Sequence, residues 1–241
     1  MPISAEYIVV AVRLPEGSEA GRDLHAERLL SLITAYSSTY RLKTVQMAAG
    51  DAVHVLITGG RGDVRVAAQR LADYMINAAD RSWSLPIRVA TSEPVQQLAD
   101  APDARRVTDQ VLRVAADLNR PLPDVVTLDD VQSACVLDDL RSLALERSRW
   151  VATKLRRLVE QDRARDMGYV DILRAYLDSG GNMRAAATLL DIHPNTYRYR
   201  FQRVAALIDS DLADPDERLV LSLQLRLGLL PVGETFLELG R

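Results

Sequence analysis

The segment HPNTYRYRFQR, from His193 to Arg203, brings together the residue types that proteins use to contact nucleic acid. Arginine donates hydrogen bonds to guanine and to phosphate, and the amide side chains of asparagine and glutamine pair with adenine. At about 3.6 residues per turn, Tyr197 and Phe201 fall on one side of a helix, and most polar side chains fall on the other. The segment therefore predicts a helix that packs through one face and contacts DNA through the opposite face.

The residues expected to contact DNA divide by the part of the duplex that each side chain suits. Arg184 and Arg203 are expected to bind phosphate groups. Contacts with bases or with the DNA backbone are expected from Asn195, Thr196, Arg198, Tyr199 and Gln202.

The positive charge of the chain is concentrated around this segment. The 241-residue chain has a net charge of −3, yet residues 182–203 hold four arginines and one aspartate, a net charge of +3. Because the chain as a whole is acidic, any nucleic-acid surface must be local. The alternative is an ordinary amphipathic helix whose arginines only face water.

The residues before this segment predict the helices that would hold it in place. A helix over about 168–178 is expected to stop at Gly180-Gly181, a pair suited to a left-handed helix end. Asn182 can cap a second helix, and Pro194 suits the first position of a third. Two short helices, a turn and a longer helix follow the order of a helix-turn-helix.

The leucines that follow allow two interpretations. They alternate from Leu219 to Leu229, a pattern that by itself predicts a strand. Asp214, Pro215 and Glu217, however, offer an N-cap, a proline at the first helical position and a capping-box acid. These start signals favour a buried helix.

The first 131 residues alternate between strand-like and helix-like segments. Strands are predicted over 6–14, 86–95 and 123–131, with a hairpin over 43–59 that turns at Gly50-Asp51; helices are predicted over 24–36, 64–80 and 104–119. The order β-α-β-β-α-β, then α-β, predicts an α+β fold of the ferredoxin-like type. In that fold, helices cover one face of an antiparallel sheet.

Residues 132–166 differ in character from the segments on either side. No proline or glycine occurs from Ser133 to Asp166, and the composition favours helix. Between Arg141 and Asp166, eight basic and four acidic residues give a net charge of +4. A solvated helical connector is predicted, and a phosphate-contacting flank or a dimer helix is the alternative.

The remaining polar residues do not form a pattern expected for catalysis or metal binding. His25, His54 and His193 have no cysteine or second histidine at ligand spacing, so His54 is interpreted as a sheet residue. The hairpin offers one carboxylate, Asp51, which cannot build a two-metal site. The loop TGGRGD at 58–63 lacks the Lys-Ser/Thr pair of a P-loop. No catalytic residue, metal or cofactor is expected.

Two further features bear on the compartment. The single Cys135 excludes an intramolecular disulfide and is interpreted as a core residue. No stretch approaches the roughly 18 consecutive apolar residues of a membrane helix. A cytoplasmic protein without a membrane partner is predicted.

The C-terminal sequence also resembles a known family. LRAYLDSGGNMRAAATLLDIHPNTYRYRFQRVAALI, followed by DLADPDERLVLSLQLRL, is similar to the C-terminal helix-turn-helix of PucR/CdaR-type bacterial transcription regulators. Four motifs occur in the same order as in that family: GGN, the AA pair, HPNT-YR-R and DPDERL. In these proteins the module commonly follows a degenerate GGDEF-like domain and an upstream sensor. The resemblance therefore implies a GGDEF-like first domain, and a small-molecule effector acting through a sensor absent from this chain.

Four regions are expected: a degenerate GGDEF-like domain (1–131), a helical connector (132–166), a helix-turn-helix domain (167–230) and a C-terminal tail (231–241). The predicted function is that of a non-enzymatic, sequence-specific regulator that binds double-stranded DNA as a homodimer, with the helix that starts near Pro194 in contact with the DNA. The alternative is a nucleotide-binding signalling module, or a nucleotidyl cyclase-like enzyme, with a helical C-terminal domain.

Overall fold

The computed structural model describes residues 6–14, 19–58, 63–83, 87–147, 153–208 and 210–229. The chain divides into two compact units, Met1–Cys135 and Val136–Arg241. The predicted tail at 231–241, and most of the glycine-rich loop at 58–63, lie outside the described residues. No helix within the described ranges is both long and apolar enough to cross a membrane.

The N-terminal unit is an α+β domain, as the sequence predicts. Its elements are β1 (Tyr7–Arg13), α1 (Glu19–Tyr40), β2 (Lys43–Ala49), β3 (Ala52–Thr58), α2 (Val64–Trp83), β4 (Val89–Thr91), α3 (Ala101–Asp117), β5 (Val125–Val126) and the start of α4 (Leu128–Glu146). The strand order is β2-β3-β1-β4-β5. The first four strands pair antiparallel, whereas β5 pairs parallel with β4, so the sheet is mixed.

Helices cover both faces of the sheet, which corrects the prediction of a single covered face. Val10 and Val12 pack with residues of α1 and α2, among them Ile33 and Leu71. Ala11, on the opposite face of β1, packs with residues of α3. The reason lies in β1 itself: its residues from Ile8 to Val12 are all buried, and a strand without polar alternation needs cover on both sides.

The predicted hairpin turns where expected. Ala49 of β2 pairs with Ala52 of β3, and Gly50 adopts a φ of +63° in the turn. Asp51 forms an ion pair with Arg13 of the neighbouring strand, with 3.1 Å between Oδ2 and Nε. Asp51 thus serves the turn and the strand end.

The C-terminal unit contains the rest of α4, α5 (Arg156–Arg165), α6 (Tyr169–Asp178), α7 (Met183–Leu189), α8 (Pro194–Leu207) and α9 (Pro215–Arg226). Leu158 and Val159 of α5 are buried in one core with α6 and α8. The structure therefore places α5, which the sequence predicts within a solvated connector, in the C-terminal core. The alternating leucines form a helix, α9, with Leu221 and Leu225 buried.

Candidate nucleic-acid interface

Local caps fix the start of α7 and α8. Asn182 Oδ1 accepts hydrogen bonds from the backbone N–H groups of Arg184 (3.0 Å) and Ala185 (3.2 Å). His193 Nδ1 accepts one from the backbone N–H of Asn195 (3.2 Å), and Pro194 opens α8. Side-chain acceptors at these positions satisfy N–H groups that the helix itself leaves unpaired.

Small residues and left-handed backbone let the helices approach each other. Gly180 and Gly181 end α6 with φ values of +64° and +88°. Ala186 and Ala187 of α7 are fully buried in the core shared with α8. The turn between α7 and α8 contains Asp191 with a φ of +51°, a conformation that aspartate tolerates better than most residues.

The inner face of α8 is anchored by aromatic packing. Tyr197, Phe201 and Val204 are buried. The Tyr197 hydroxyl donates a hydrogen bond of 2.8 Å to the carbonyl of Ile172 in α6, and burial raises the pKa of this hydroxyl. The rings of Tyr176 and Phe201 lie 4.2 Å apart between centroids. These contacts fix the rotation of α8 about its axis, and hence which side chains face outward.

The outer face of α8 presents the side chains expected to contact DNA. Asp191 is the only acidic residue between positions 182 and 208. Arg200 is exposed as well, at a position nearer the apolar edge of the helix. Every residue predicted to contact DNA is exposed: Arg184, Asn195, Thr196, Arg198, Tyr199, Gln202 and Arg203.

One of these cations is held by neighbouring aromatic residues. The Arg203 guanidinium donates to the Tyr199 hydroxyl, and its central carbon lies 4.7 Å from the Tyr199 ring centre. A hydrogen bond with the Tyr169 hydroxyl, followed by the interaction with Tyr199, raises the pKa of Arg203. Arg203 is thus a fully charged and oriented donor on this surface.

Residues 169–227 match the family model described as the PucR C-terminal helix-turn-helix domain. These residues are a PucR-type helix-turn-helix domain. The matched region begins at the first residue of α6 and ends one residue after α9, so it contains the caps, the packed face and the exposed face described above.

The relatives that the chain matches are bacterial. An uncharacterized protein of Mycobacterium tuberculosis is 39% identical over 61 residues, which are 25% of this chain and 15% of that protein. The DNA-binding transcriptional activator AdeR of Bacillus subtilis is 29% identical over 73 residues, which are 30% of this chain and 17% of AdeR. The alignments thus span about a sixth of the length of these curated relatives.

A solved structure is similar over a larger part of the chain. It is the regulator of polyketide synthase expression from Bifidobacterium adolescentis, with 20% identity and a TM-score of 0.41. The alignment covers 92% of this chain and 85% of that chain.

Two contacts that support the PucR-type domain could not be predicted from the sequence. The Asp162 carboxylate at the end of α5 accepts hydrogen bonds from the backbone N–H groups of Tyr169 (2.8 Å) and Val170 (3.0 Å). Asp162 therefore caps α6 from outside the helix, while the Tyr169 side chain steadies Arg203. The sequence does not indicate either contact, because the two residues that meet lie in different helices.

Glu217 of α9 does not act as the predicted capping-box acid. Asp214 does cap the helix, with its Oδ1 2.8 Å from the Asp216 nitrogen. The Glu217 carboxylate instead binds Lys154 Nζ (2.6 and 2.7 Å) and Ser210 Oγ (2.5 Å), while the Asp214 N–H donates to a backbone carbonyl. A charged ammonium competes better for a carboxylate than a neutral backbone N–H does.

His54 lies in a strand, as predicted, and it has a specific partner. It is buried in β3, and its Nε2 lies 2.5 Å from Asp109 Oδ1 of α3. No group of three or more His, Cys, Asp or Glu residues suited to a metal ion occurs in the part of the chain that the structure describes.

Proposed function

We propose that this protein is a sequence-specific, DNA-binding transcription regulator whose α8 lies in the major groove of duplex DNA. The observation that carries the proposal is the division of α8: aromatic side chains anchor one face, and the opposite face presents exposed arginine, amide and tyrosine side chains without an acid. The PucR-type domain and the similarity to AdeR, named as a DNA-binding transcriptional activator, support it.

The proposed DNA contacts follow from where each side chain lies on α7 and α8. Residues near the start of a recognition helix meet base edges, so Asn195, Thr196 and Arg198 are assigned to bases, with Tyr199 and Gln202 on bases or backbone. Arg184 and Arg203 are assigned to phosphate groups. Since Tyr169 and Tyr199 already orient Arg203, its guanidinium would lose little side-chain freedom on binding.

The proposed regulator acts as a homodimer. A single helix-turn-helix domain buries a small interface on DNA, and proteins of this kind commonly pair so that two such helices contact adjacent half-sites. In the same proposal the N-terminal unit is non-catalytic and GGDEF-like, because its hairpin offers only Asp51, which is paired with Arg13.

Selection of bound duplexes from a random-sequence pool tests the proposal. The full chain should enrich a sequence with two half-sites. Arg198→Ala and Tyr199→Ala should each weaken binding to that sequence by about 1–3 kcal/mol, with the largest effect at low salt. Arg28→Ala, which removes an exposed arginine from α1, is the matched control and should bind like the wild type.

Three outcomes would contradict the proposal at different levels. If the chain binds no duplex above background at low salt, the DNA-binding function is wrong. If it binds but both α8 variants bind normally while folded by circular dichroism, another surface contacts the DNA. A half-site without its symmetric copy would remove the support for a dimer.

A further inference from the structure

One face of the N-terminal sheet is only partly covered by helix. α3 packs mainly on β1 and β4, which leaves apolar side chains of β2 exposed and Leu56 of β3 half-buried. Val45 is 68% exposed and Met47 is 46% exposed, although both are apolar. The strand register sets two rows across this face: Val9, Leu56 and Val45 in one, and Ala11, His54 and Met47 in the other.

A groove of about 560 Å³ lies between these rows and the beginning of α3. On the helix side it is lined by Leu98, which is 56% exposed, and by Ala101 and Pro102. Sites for small molecules are concave, mostly apolar, and carry a few polar groups that orient the ligand. The groove has the size and the apolar walls of such a site.

The groove also has a polar cluster. Asp109 has both carboxylate oxygens engaged: Oδ1 lies 2.5 Å from His54 Nε2, and Oδ2 lies 3.6 Å from Arg105 Nε. The His54 side chain is only 5% exposed, and its buried Nδ1 has no hydrogen-bond partner in the part of the chain that the structure describes. Buried polar atoms without a partner are few in native structures, and each one needs an explanation. Neither residue of the pair is among those assigned to DNA.

Arg105 and Arg106 both line the groove, but Arg106 is paired with Asp103, so Arg105 supplies the charge that a ligand would meet. Among the described residues, its guanidinium contacts Asp109 at long range and the sulfur of Met47 at 3.9 Å, and thioether sulfur is a weak acceptor. A guanidinium has five N–H donors arranged to fit a carboxylate. Asp109 Oδ1 is taken by His54, and the Arg105 guanidinium retains N–H donors for a ligand.

We propose that this groove binds a small organic acid with an apolar or aromatic body. The carboxylate pairs with Arg105, and the body covers Val45, Met47 and Leu98. His54 holds Asp109, and Asp109 positions Arg105 at the groove. The site would give the chain a ligand-binding site of its own, in addition to any upstream sensor. The proposal does not depend on DNA binding.

Three soluble probes test the groove in the full chain. The fluorescent dye 8-anilinonaphthalene-1-sulfonate, an aromatic anion, should bind saturably, and 3-phenylpropanoate should displace it. The neutral isostere 3-phenylpropanamide should displace it about tenfold less effectively, because it lacks the charge-assisted pair. Titration calorimetry with each phenyl compound measures the same difference directly.

Matched variants separate the charge from the apolar wall. Arg105→Gln should reduce affinity for the acid to that for the amide and leave the amide unchanged, whereas Val45→Gln should weaken both. Arg28→Gln on α1 and Val66→Gln on α2 are exposed controls and should change neither. Circular dichroism verifies that each variant is folded.

Several results would overturn the proposal. It is wrong if the dye does not bind saturably, if acid and amide bind equally to the wild type, or if both groove variants bind like the controls. It is also wrong if sedimentation shows self-association that excludes the dye and disappears in Val45→Gln, because a second copy of the chain would then be the occupant.

Discussion

Two tyrosines on α8 show how differently its two faces use the same side chain. Tyr197 is fully buried, and its hydroxyl is committed to the Ile172 carbonyl. Tyr199, two positions later, is 57% exposed and holds the Arg203 guanidinium. Helical phase, rather than residue type, separates the two roles. Substitutions on the inner face should therefore lower stability, and those on the outer face should lower DNA binding alone.

The largest effect is expected from Tyr197→Ala. The substitution removes a buried ring and leaves the Ile172 carbonyl without its donor, so the C-terminal unit should lose about 3–5 kcal/mol in its free energy of unfolding. Chemical denaturation followed by circular dichroism measures this loss. Tyr197→Phe keeps the ring and should lose only about 1 kcal/mol. Equal midpoints for Tyr197→Ala and the wild type would show that this face does not anchor α8.

The opposite face is tested by Arg203→Gln. If Arg203 binds phosphate, the variant should bind all duplex sequences more weakly, and the slope of log affinity against log salt should fall by about one. Its thermal unfolding should match that of the wild type, because the side chain is exposed. An unchanged salt slope, with Arg28→Gln as reference, would remove the phosphate role. A loss of stability would show that the two faces are not separable.

The parts of this domain that the sequence predicts are those determined by local chemistry. Asn182 and Asp214 accept hydrogen bonds from backbone N–H groups within three residues, and Pro194 occupies the first position of its helix, so residue types and spacing are sufficient to predict the helix starts. The same holds for the turn at Gly50, where the residue types indicate the φ that the hairpin adopts. The helix-turn-helix and the hairpin of the α+β fold were therefore predictable.

The contacts that sequence reasoning misses join residues far apart in the chain. His54 and Asp109 meet only because α3 crosses the face of β3, and Glu217 of α9 binds Lys154, which precedes α5. Cover on both faces of the sheet also depends on tertiary packing, although the uninterrupted apolar run of β1 was a local indication of it. Periodicity identifies a helix face but not the partner that it meets.

A smaller effect is expected from Asn182→Ala. Its comparison with Asn195→Ala sets a capping asparagine against an exposed one. Loss of the two bonds to the Arg184 and Ala185 nitrogens should lower the free energy of unfolding by about 1 kcal/mol. Asn195→Ala, on the exposed face of α8, should leave stability unchanged and weaken DNA binding. Thermal denaturation and duplex binding of both variants give the comparison. If Asn182→Ala were as stable as the wild type, α7 would not depend on its cap.

The smallest effect is expected from Glu217→Gln, and it should depend on pH. The hydrogen bond from Lys154, and then that from Ser210, lower the pKa of Glu217 from its ordinary value of 4.5. Because the folded pKa lies below the unfolded one, the carboxylate stabilises the fold above about pH 4.5, and this contribution disappears as pH falls through the folded pKa. The melting temperature of Glu217→Gln should therefore lie slightly below that of the wild type at neutral pH and converge with it in acid. Glu160→Gln, on the exposed side of α5, controls for loss of one charge. If the difference in melting temperature persists unchanged into acid, the effect comes from packing of the amide. Lys154 would then not be the group that draws Glu217 away from the helix cap.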